Sequence, residues 1–211
     1  MKPDPSARSP FRLAEGAETL LPIAFQGREL LLEAHAYQGE SVDHEIIVLV
    51  HRSEHARPDS LPVVRVHSGC LTGDIFHSLR CDCYEQLQAA LFAITDTSFG
   101  AIVYVPYHEG RGIGLFKKIQ AYAQQDRGLD TIEANIKIGA PVDGRDYTLA
   151  ARALHDLGMT NINLLSNSPA KELALRALDI NVVRRLPLVI PPNKFNRRYL
   201  ETKRERMAHD L

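Results

Sequence analysis

Apolar residues along the chain gather in short runs that polar segments separate, and many of these residues are β-branched. The run at residues 46–50 is apolar throughout, as expected of a strand buried on both faces of a sheet. Runs of similar length recur along the chain. They predict strands at residues 29–36, 45–51, 62–67, 101–105, 161–165 and 182–190.

Helical spacing of apolar residues falls between these predicted strands. Leu87, Leu91 and Ile94 recur at i, i+4 and i+7, so residues 85–95 are predicted to form a helix. Ser168 and Pro169 supply the capping hydroxyl and the first-turn proline that commonly begin a helix. Further helices are predicted at residues 115–125, at 146–157 with Gly158 as a left-handed cap, and from 197 onward.

The order of these elements predicts an α+β (α/β-like) fold in which helices cover both faces of a mixed sheet. Residues 1–20 are predicted to be a loose N-terminal arm. Residues 21–211 show no repeat, low-complexity tract or linker, so they are predicted to form a single domain.

Charge and composition exclude several classes of partner. The 25 basic and 26 acidic residues predict no general attraction to nucleic acid or to anionic membranes. No apolar run approaches the roughly 20 residues of a membrane span, and residues 1–12 lack the apolar core of a signal peptide. Three cysteines are an odd number for a disulfide framework, so a reducing, cytoplasmic location is predicted.

The three cysteines, Cys70, Cys81 and Cys83, are clustered in the way that metal ligands are. Cys81 and Cys83 face the same side if their segment is extended, and Cys70 follows a predicted strand across a turn. Three thiolates with a water would make a catalytic zinc site, whereas His67 or His77 as fourth ligand would make a closed structural one. Three buried cysteines without metal are the remaining alternative.

Residues 109–115, with the sequence EGRGIGL, form a glycine-rich turn before a predicted helix. Backbone N–H groups and the positive end of a helix dipole bind phosphate at such turns. Arg111 lies within this turn, and a guanidinium binds phosphate through two hydrogen bonds. A packing turn without a ligand is the competing interpretation.

Three longer motifs carry a resemblance to a known family. Residues 65–74 (RVHSGCLTGD), residues 78–83 (SLRCDC) and residues 86–87 together resemble the GTP cyclohydrolase II family. The resemblance runs from about residue 20 to the C-terminus, through residues 109–115, 118–122, 130–135, 143–147, 165–171 and 199–203. It implies that family's fold. It also implies that Cys70, Cys81 and Cys83 bind one catalytic zinc with an open position for water.

The reaction that this resemblance implies is hydrolysis of GTP. Zinc-dependent opening of the imidazole ring would release formate and pyrophosphate and leave 2,5-diamino-6-(5-phosphoribosylamino)pyrimidin-4(3H)-one, in the first step of riboflavin biosynthesis. The implied partner is therefore a nucleoside triphosphate, GTP, accompanied by Mg²⁺. The resemblance further implies a homodimer.

Roles are implied at the positions that match the family's motifs. Asp143 corresponds to the proton acceptor, Arg145 to the residue assigned as nucleophile on the α-phosphate, and Tyr122 to a tyrosine that acts late, at the imidazole carbon. Arginine is effectively always protonated, so a charge clamp on the α-phosphate fits Arg145 at least as well. The implied substrate-binding residues are Arg65, Val66, His67, Ser68, Gly69, Gln86, Glu109, Gly110, Arg111, Thr131, Ser166 and Lys171.

Three positions depart from the pattern of the family that the chain resembles. Gly69 stands where glutamate is usual, and Tyr107 and His108 stand where arginine and glutamine are usual. Lost polar groups at the pocket rim predict altered base recognition, because a hydrogen-bonding site rejects ligands that leave its groups unpaired. The alternative function is therefore ring opening of another nucleotide, for example a uracil nucleotide in pyrimidine catabolism. A non-catalytic nucleotide sensor is a third hypothesis.

His108 itself has two interpretations, as a hydrogen-bonding replacement for the glutamine or as an additional base near neutral pH. A third is a surface histidine without a role.

The basic residues near the C-terminus are predicted to form a solvated helix face, and they are Arg197, Arg198, Lys203, Arg204 and Arg206.

Overall fold

One mixed sheet organises the part of the chain that the computed structural model describes, namely residues 16–41, 43–54, 56–57, 60–207 and 210. Within these residues the strands are β1 (Gly16–Phe25), β2 (Arg28–Gln38), β3 (Glu45–Arg52), β4 (Val63–Ser68), β5 (Phe99–Val105), β6 (Asn161–Leu165) and β7 (Asn181–Leu186). They lie side by side in the order β1-β2-β3-β5-β4-β6-β7. The mixed sheet predicted from the sequence is confirmed.

Strand β1 is a difference from the sequence prediction. It begins at Gly16, so the predicted end of the N-terminal arm at residue 20 is wrong, and residues 1–15 lie outside the described residues. A two-residue turn joins β1 to β2, with φ of 50° at Gln26 and 73° at Gly27, the left-handed values that such hairpins need. Most of β1 is exposed, which is typical of an edge strand. Its apolar residues do not line one buried face, so their pattern in the sequence does not predict a strand.

The described helices are α1 (Cys83–Thr95), the single turn α2 (Glu109–Gly112), α3 (Gly114–Gln125), α4 (Thr131–Lys137), α5 (Thr148–Asp156), α6 (Pro169–Arg176) and α7 (Arg197–Met207). Five of the seven were predicted as helices; α2 lies in the predicted glycine-rich turn, and α4 was not predicted. Asp130 caps α4 by accepting from the backbone of Ile132 and Glu133, and the Glu133 side chain accepts from the Asp130 N–H in return. The sequence contains this capping pair, three residues apart. The cap stabilises the first turn of a helix that is only seven residues long.

Helices pack on both faces of the sheet, as predicted. On one face the fully buried Ala150, Ala153 and Leu154 of α5 pack in the main core with strand residues such as Val48 and Val103. On the other face Ala90 and Ile94 of α1 pack in a second, smaller core with residues of β5 and β6. Among the described helices, none combines the length and apolar character needed to cross a membrane.

The sheet changes character at β5. Strands β1, β2, β3 and β5 pair antiparallel, whereas β5, β4, β6 and β7 pair parallel. The carboxyl ends of β4, β5 and β6 therefore meet at one edge. The chain passes from β4 to β5 on one side of β4, and later enters β6 on the other side. This makes β4 a topological switch point, the place where α/β sheets bind ligands.

Candidate active site

Three thiols meet beside the carboxyl end of β4. Cys70 lies two residues after the end of β4, Cys81 lies just before α1, and Cys83 is the first residue of α1. Their Sγ atoms all lie within 4.8 Å of one another, with 3.8 Å between Cys70 and Cys81. A side chain at Gly73 would fill this cluster, since a Cβ there would come within 2.9 Å of Cys81 Sγ and 3.1 Å of Cys70 Sγ. Three converging soft donors with space kept open around them fit a zinc ion.

Residues 70–75, here called the cysteine turn, are held in place by Asp74. Its buried carboxylate accepts from the Cys70 N–H at 2.9 Å and from the Tyr104 hydroxyl at 3.0 Å. His67 Nε2 lies 3.2 Å from both carboxylate oxygens. Asp74 thus fixes the first thiol relative to β4 and β5.

Neither histidine considered as a fourth ligand reaches the thiols. His67 Nε2 faces Asp74, and the exposed His77 lies against Tyr84, with ring centroids 3.8 Å apart. Within the described residues no histidine, aspartate or glutamate joins the group of three cysteines. The closed structural site with His67 or His77 is therefore wrong, and the geometry leaves a position for a non-protein ligand.

Lys118 supplies a positive charge to the thiol cluster. Its Nζ lies 3.0 Å from Cys70 Sγ and 2.6 Å from Glu109 Oε1. Hydrogen bonds from Cys81 and Cys83, aided by the Lys118 charge, hold the pKa of Cys70 well below its usual range. Hydrogen bonding with Cys70 raises the pKa of Cys81 and of Cys83. These shifts favour ionisation of Cys70 over ionisation of Cys81 and Cys83.

Glu109 ties the glycine-rich turn to the cysteine turn. Its Oε2 accepts from the Leu71 N–H at 2.6 Å, and its Oε1 accepts from the Gly110 N–H at 3.0 Å as well as from Lys118. The turn itself has left-handed backbone, with φ of 60° at Gly110 and 64° at Arg111. This conformation directs the Arg111 side chain into the cavity.

Gly112 lets the glycine-rich turn touch the loop that carries Asp143 and Arg145. A Cβ at Gly112, whose φ is 84°, would lie 2.7 Å from the Gly144 carbonyl oxygen. The Gly144 N–H in turn donates to the Arg111 carbonyl at 2.9 Å. The two loops therefore approach at backbone distance, and this brings Arg111 and Arg145 into one cavity.

We expect Gly112→Ala to destabilise the protein and to lower activity more than Gly114→Ala does. Gly114 has nearly the same φ, 82°, but a Cβ there meets nothing within 4 Å, so it isolates the backbone cost of about 1 kcal/mol. The clash at Gly112 should add roughly 1–3 kcal/mol. Urea unfolding and substrate turnover check this, and equal effects of the two variants would contradict the close approach.

Three cations that line the cavity beside the thiols, Arg65, Arg111 and Lys171, have no carboxylate partner among the described residues. Both terminal nitrogens of Arg111 are buried, with no hydrogen-bond partner among the described residues. Arg65 donates to the Leu165 carbonyl at 3.1 Å and to Gln86 Oε1 at 2.5 Å. Lys171 donates to the Val66 carbonyl at 2.5 Å, and burial together with Arg65 and Arg145 holds the pKa of Lys171 well below its usual range. Such a set of buried cations is suited to an anionic ligand.

Asp143 and Arg145 form a bidentate pair. Arg145 Nε and a terminal nitrogen reach the two Asp143 oxygens at 2.9 and 2.5 Å, and the other terminal nitrogen lies 3.4 Å from Ser68 Oγ. Burial opposes ionisation of Asp143, but the hydrogen bonds and charge of Arg145 outweigh it and lower the Asp143 pKa. The pair therefore holds a carboxylate and a guanidinium at the cavity's edge.

His108 links Ser68 to the same loop. Its Nε2 lies 2.7 Å from the Asp146 carbonyl, to which it must donate, and its Nδ1 therefore accepts from Ser68 Oγ at 3.2 Å. The ring is 1% exposed, and burial lowers its pKa to about 4. His108 is a neutral hydrogen-bonding group here, so a surface position without a role is wrong.

The low pKa of His108 predicts an acid-dependent loss of stability. An unfolded histidine takes up a proton below about pH 6.5, whereas folded His108 does so only near pH 4. Protonation therefore favours unfolding as the pH falls through this window. Between pH 7 and 4 the wild type should lose about 3 kcal/mol more free energy of unfolding than His108→Gln does. Urea titrations at both pH values measure this, and parallel losses would contradict it.

Two of the departures from the family pattern have a structural meaning. A Cβ at Gly69 would lie 2.9 Å from Pro106 Cα and 3.0 Å from the Val105 carbonyl, so a larger residue would displace the end of β5. Tyr107 stacks on His44 with ring centroids 4.4 Å apart and packs against the main core. It is not among the residues that line the cavity, so Tyr107 itself supplies no group to the pocket rim.

Most of the residues implied by the resemblance come together in this one cavity. Its lining includes Arg65, His67, Ser68, Gly69, Cys70, Cys81, Cys83, Gln86, Gly110, Arg111, Tyr122, Thr131, Arg145, Ser166 and Lys171. Three others lie just behind it. The Val66 side chain is in the main core, Glu109 binds Lys118, and Asp143 binds Arg145.

Sequence reasoning missed several residues of the cavity. Tyr199 and Lys203 of α7 line it, and Lys203 is 9% exposed, so a fully solvated face for the C-terminal helix is wrong. The four-residue spacing of Tyr199 and Lys203, which places both on one helix face, is the signal that could have found them. Asp82, Lys118 and Asn135 also line the cavity.

A cluster of three thiols that fits a metal, beside a cation-rich cavity at the carboxyl ends of parallel strands, is suited to a metal-dependent enzyme that acts on an anionic substrate. Comparison with known proteins identifies the family. The GTP cyclohydrolase II family model matches residues 15–187, and the chain belongs to this family of hydrolases.

Several relatives are similar over 82% of the chain. The chain is 49% identical over 175 residues to riboflavin biosynthesis protein RibBA of Mycobacterium marinum and 48% identical over 172 residues to that of Mycobacteroides abscessus. It is 47% identical over 175 residues to that of Rhodococcus erythropolis. The aligned part is 40 or 41% of the length of these relatives.

Proposed function

We propose that the chain hydrolyses GTP with zinc, opening the imidazole ring and releasing formate and pyrophosphate. The product would be 2,5-diamino-6-(5-phosphoribosylamino)pyrimidin-4(3H)-one, made in the first step of riboflavin biosynthesis. One observation carries this proposal, namely that the three thiols open onto a cavity in which Arg65, Arg111 and Lys171 have no carboxylate partner among the described residues. The family match and the names of the relatives support it.

Cys70, Cys81 and Cys83 would hold one zinc ion per chain, because their sulfur atoms converge without a fourth protein ligand among the described residues. Bound zinc would supply the Lewis acidity that makes water nucleophilic near neutral pH. Lys118 would offset the negative charge of three thiolates around a divalent ion. Tyr122 lines the same end of the cavity, and burial raises its pKa, so its hydroxyl keeps a proton to donate late in the reaction.

The cations would bind the triphosphate, together with Mg²⁺. Arg111 offers two unpaired nitrogens, and Arg65 and Lys171 lie deeper in the cavity. Binding an anion would restore the charge that burial disfavours on Lys171. Base and sugar contacts would come from the remaining proposed substrate-binding residues: Val66 through its backbone, His67, Ser68, Gly69, Gln86, Glu109, Gly110, Thr131 and Ser166.

Asp143 and Arg145 would act at the α-phosphate. Although burial disfavours its charge, hydrogen bonds from Arg145 to Asp143 raise the Arg145 pKa, so the guanidinium stays protonated. A protonated guanidinium has no lone pair to attack with, so we favour a charge clamp over a covalent nucleophile. Asp143, freed from Arg145 when the phosphate binds, would accept a proton.

A second candidate is ring opening of another nucleotide, such as a uracil nucleotide. The backbone contact at Gly69 favours it, because the glutamate usual in the family has no room on this backbone.

We further propose that the enzyme is a cytoplasmic homodimer.

The decisive test is incubation of the zinc-loaded protein with GTP and Mg²⁺, with formate assayed and products identified by mass spectrometry. UTP and uridine monophosphate form the parallel arm. Formate and the diaminopyrimidine product from GTP are expected. Turnover of the uracil nucleotides alone would establish the second candidate, and no turnover of any nucleotide at full zinc occupancy would overturn both.

A further inference from the structure

Helix α7 closes one side of the cavity. Tyr199 and Lys203 share one face of this helix, and both line the cavity. Lys203 Nζ lies 4.4 Å from the centre of the Tyr199 ring, and Arg111 of the glycine-rich turn lies 5.9 Å from the same ring. The aromatic ring is therefore near both a cation of the helix and a cation of the turn that is proposed to bind phosphate.

Contacts outside the cavity hold α7 in this position. Asn196, just before the helix, donates to the Cys81 carbonyl at 3.3 Å. Arg198 donates to the Gly128 carbonyl at 2.7 Å, and Arg206 pairs with Asp130. These contacts join the helix to the start of α1 and to the segment before α4, so the helix is docked along its length.

A chain of buried polar contacts runs from α7 into the cavity. Lys203 Nζ lies 3.1 Å from Asp82 Oδ1, and Asp82 Oδ2 accepts from Gln86 Nε2 at 2.5 Å. Gln86 Oε1 then accepts from Arg65 at 2.5 Å. Because a carboxylate only accepts, Asp82 fixes which way the Gln86 amide points, with its oxygen toward Arg65.

Asp82 is 1% exposed, so its charge requires a cation. Lys203 is that cation. Arg65 also feels the charge of Asp82, and Arg65 is the other candidate to neutralise it. Without Lys203, Asp82 would turn toward Arg65 and would compete with a bound phosphate for it. Because Asp82 would then no longer accept from Gln86 Nε2, the Gln86 amide would lose its fixed orientation.

We propose that α7 is a cap on the cavity and that Lys203 is a positioning residue, which acts through Asp82 on Gln86 and Arg65 to prepare them for the nucleotide. This proposal rests on the proposed function, because it takes the cavity to be a nucleoside triphosphate site. Neither the implied substrate-binding residues nor the implied catalytic residues include any member of α7.

The test compares Lys203→Met with Arg204→Met. Arg204 is the next residue of the helix, and its side chain is 57% exposed, so it is a matched control. Formate release and calorimetric binding of a non-hydrolysable GTP analogue are both measured on zinc-loaded protein. We expect Lys203→Met to lower kcat/KM and analogue affinity about tenfold or more, while Arg204→Met stays within about twofold. Zinc content should be the same in both.

A double-mutant cycle with Gln86→Ala separates positioning from general support of the fold. If Lys203 acts through Gln86, Lys203→Met should reduce kcat/KM far less in the Gln86→Ala background. Lys203→Arg keeps the charge and should recover part of the loss. If Lys203→Met does not fold, Lys203→Gln, which keeps a polar group near Asp82, enters the same cycle.

Equal binding and turnover by Lys203→Met and Arg204→Met would overturn the proposal, and so would full additivity in the cycle. A wild type that binds the analogue but releases no formate would overturn the proposed function alone, since the binding comparison would still decide the role of Lys203. A wild type that binds no nucleoside triphosphate would overturn both.

Discussion

Cys81→Ser is expected to abolish formate release from GTP while nucleotide binding persists. The serine hydroxyl is a poor ligand for zinc, so the three-thiol site loses its metal or holds it weakly. The loss of rate should exceed the 10- to 100-fold that follows removal of a partner behind a metal ligand. Binding should survive because Arg65, Arg111 and Lys171 lie in the cavity without touching the thiols. Formate assay, zinc content and calorimetry with a GTP analogue measure the three quantities.

Ser78→Ala is the control for this variant. It removes a hydroxyl from the loop before Cys81, where Ser78 Oγ accepts only a 3.4 Å contact from the Arg80 N–H, and it leaves the thiols in place. It should keep zinc and activity. If Cys81→Ser instead yields an unfolded protein that binds no nucleotide, the metal is required for folding, and a purely catalytic role for these cysteines is excluded.

Arg145→Ala is expected to slow pyrophosphate release by about 100-fold or more, the cost of removing a group that stabilises charge in a transition state. Zinc content should stay unchanged, because Arg145 contacts Asp143 and Ser68 and no thiol. Steady-state release of pyrophosphate and metal analysis check both points. The effect should lie mainly in kcat, since a charge clamp acts on the transition state.

Two further variants sharpen this second prediction. Arg145→Lys keeps a positive charge without the planar fork, so it should recover only part of the activity. Arg184→Ala removes an exposed arginine from β7 and should behave as wild type. Pyrophosphate release at the wild-type rate in Arg145→Ala would exclude both a clamp and a nucleophile at this position.

Much of the site was predictable because its signals are local. The three cysteines share one short segment, and the glycine-rich turn and the Asp143–Arg145 pair are each continuous in sequence. Their convergence follows from parallel strands, whose carboxyl ends meet at one sheet edge. The apolar runs at residues 45–51, 62–67 and 101–105 predicted β3, β4 and β5 closely. These strands are buried, and a buried strand has a strong apolar pattern that is local in the sequence.

The remainder depended on contacts between distant parts of the chain. Tyr107 faces His44 and the core, because the turn after β5 directs its side chain away from the cavity. Lys203 belongs to a segment whose many charges indicate a solvated helix. It is buried because it forms an ion pair with Asp82, which lies 121 residues earlier in the chain. Strand β1 is exposed and lies at the sheet edge, so its pairing with β2, rather than burial, makes it a strand.

The separation between thiols and cations along the chain bears on the order in which the protein would acquire the proposed metal and nucleotide. Cys70, Cys81 and Cys83 can gather by closing one short loop, at little entropic cost. The cavity for the nucleotide needs Arg65 beside Leu165, 100 residues away, and Lys171 beside Val66, 105 residues away. The proposed metal could therefore bind to a nascent chain, whereas binding of the proposed nucleotide would require the parallel half of the sheet to be complete.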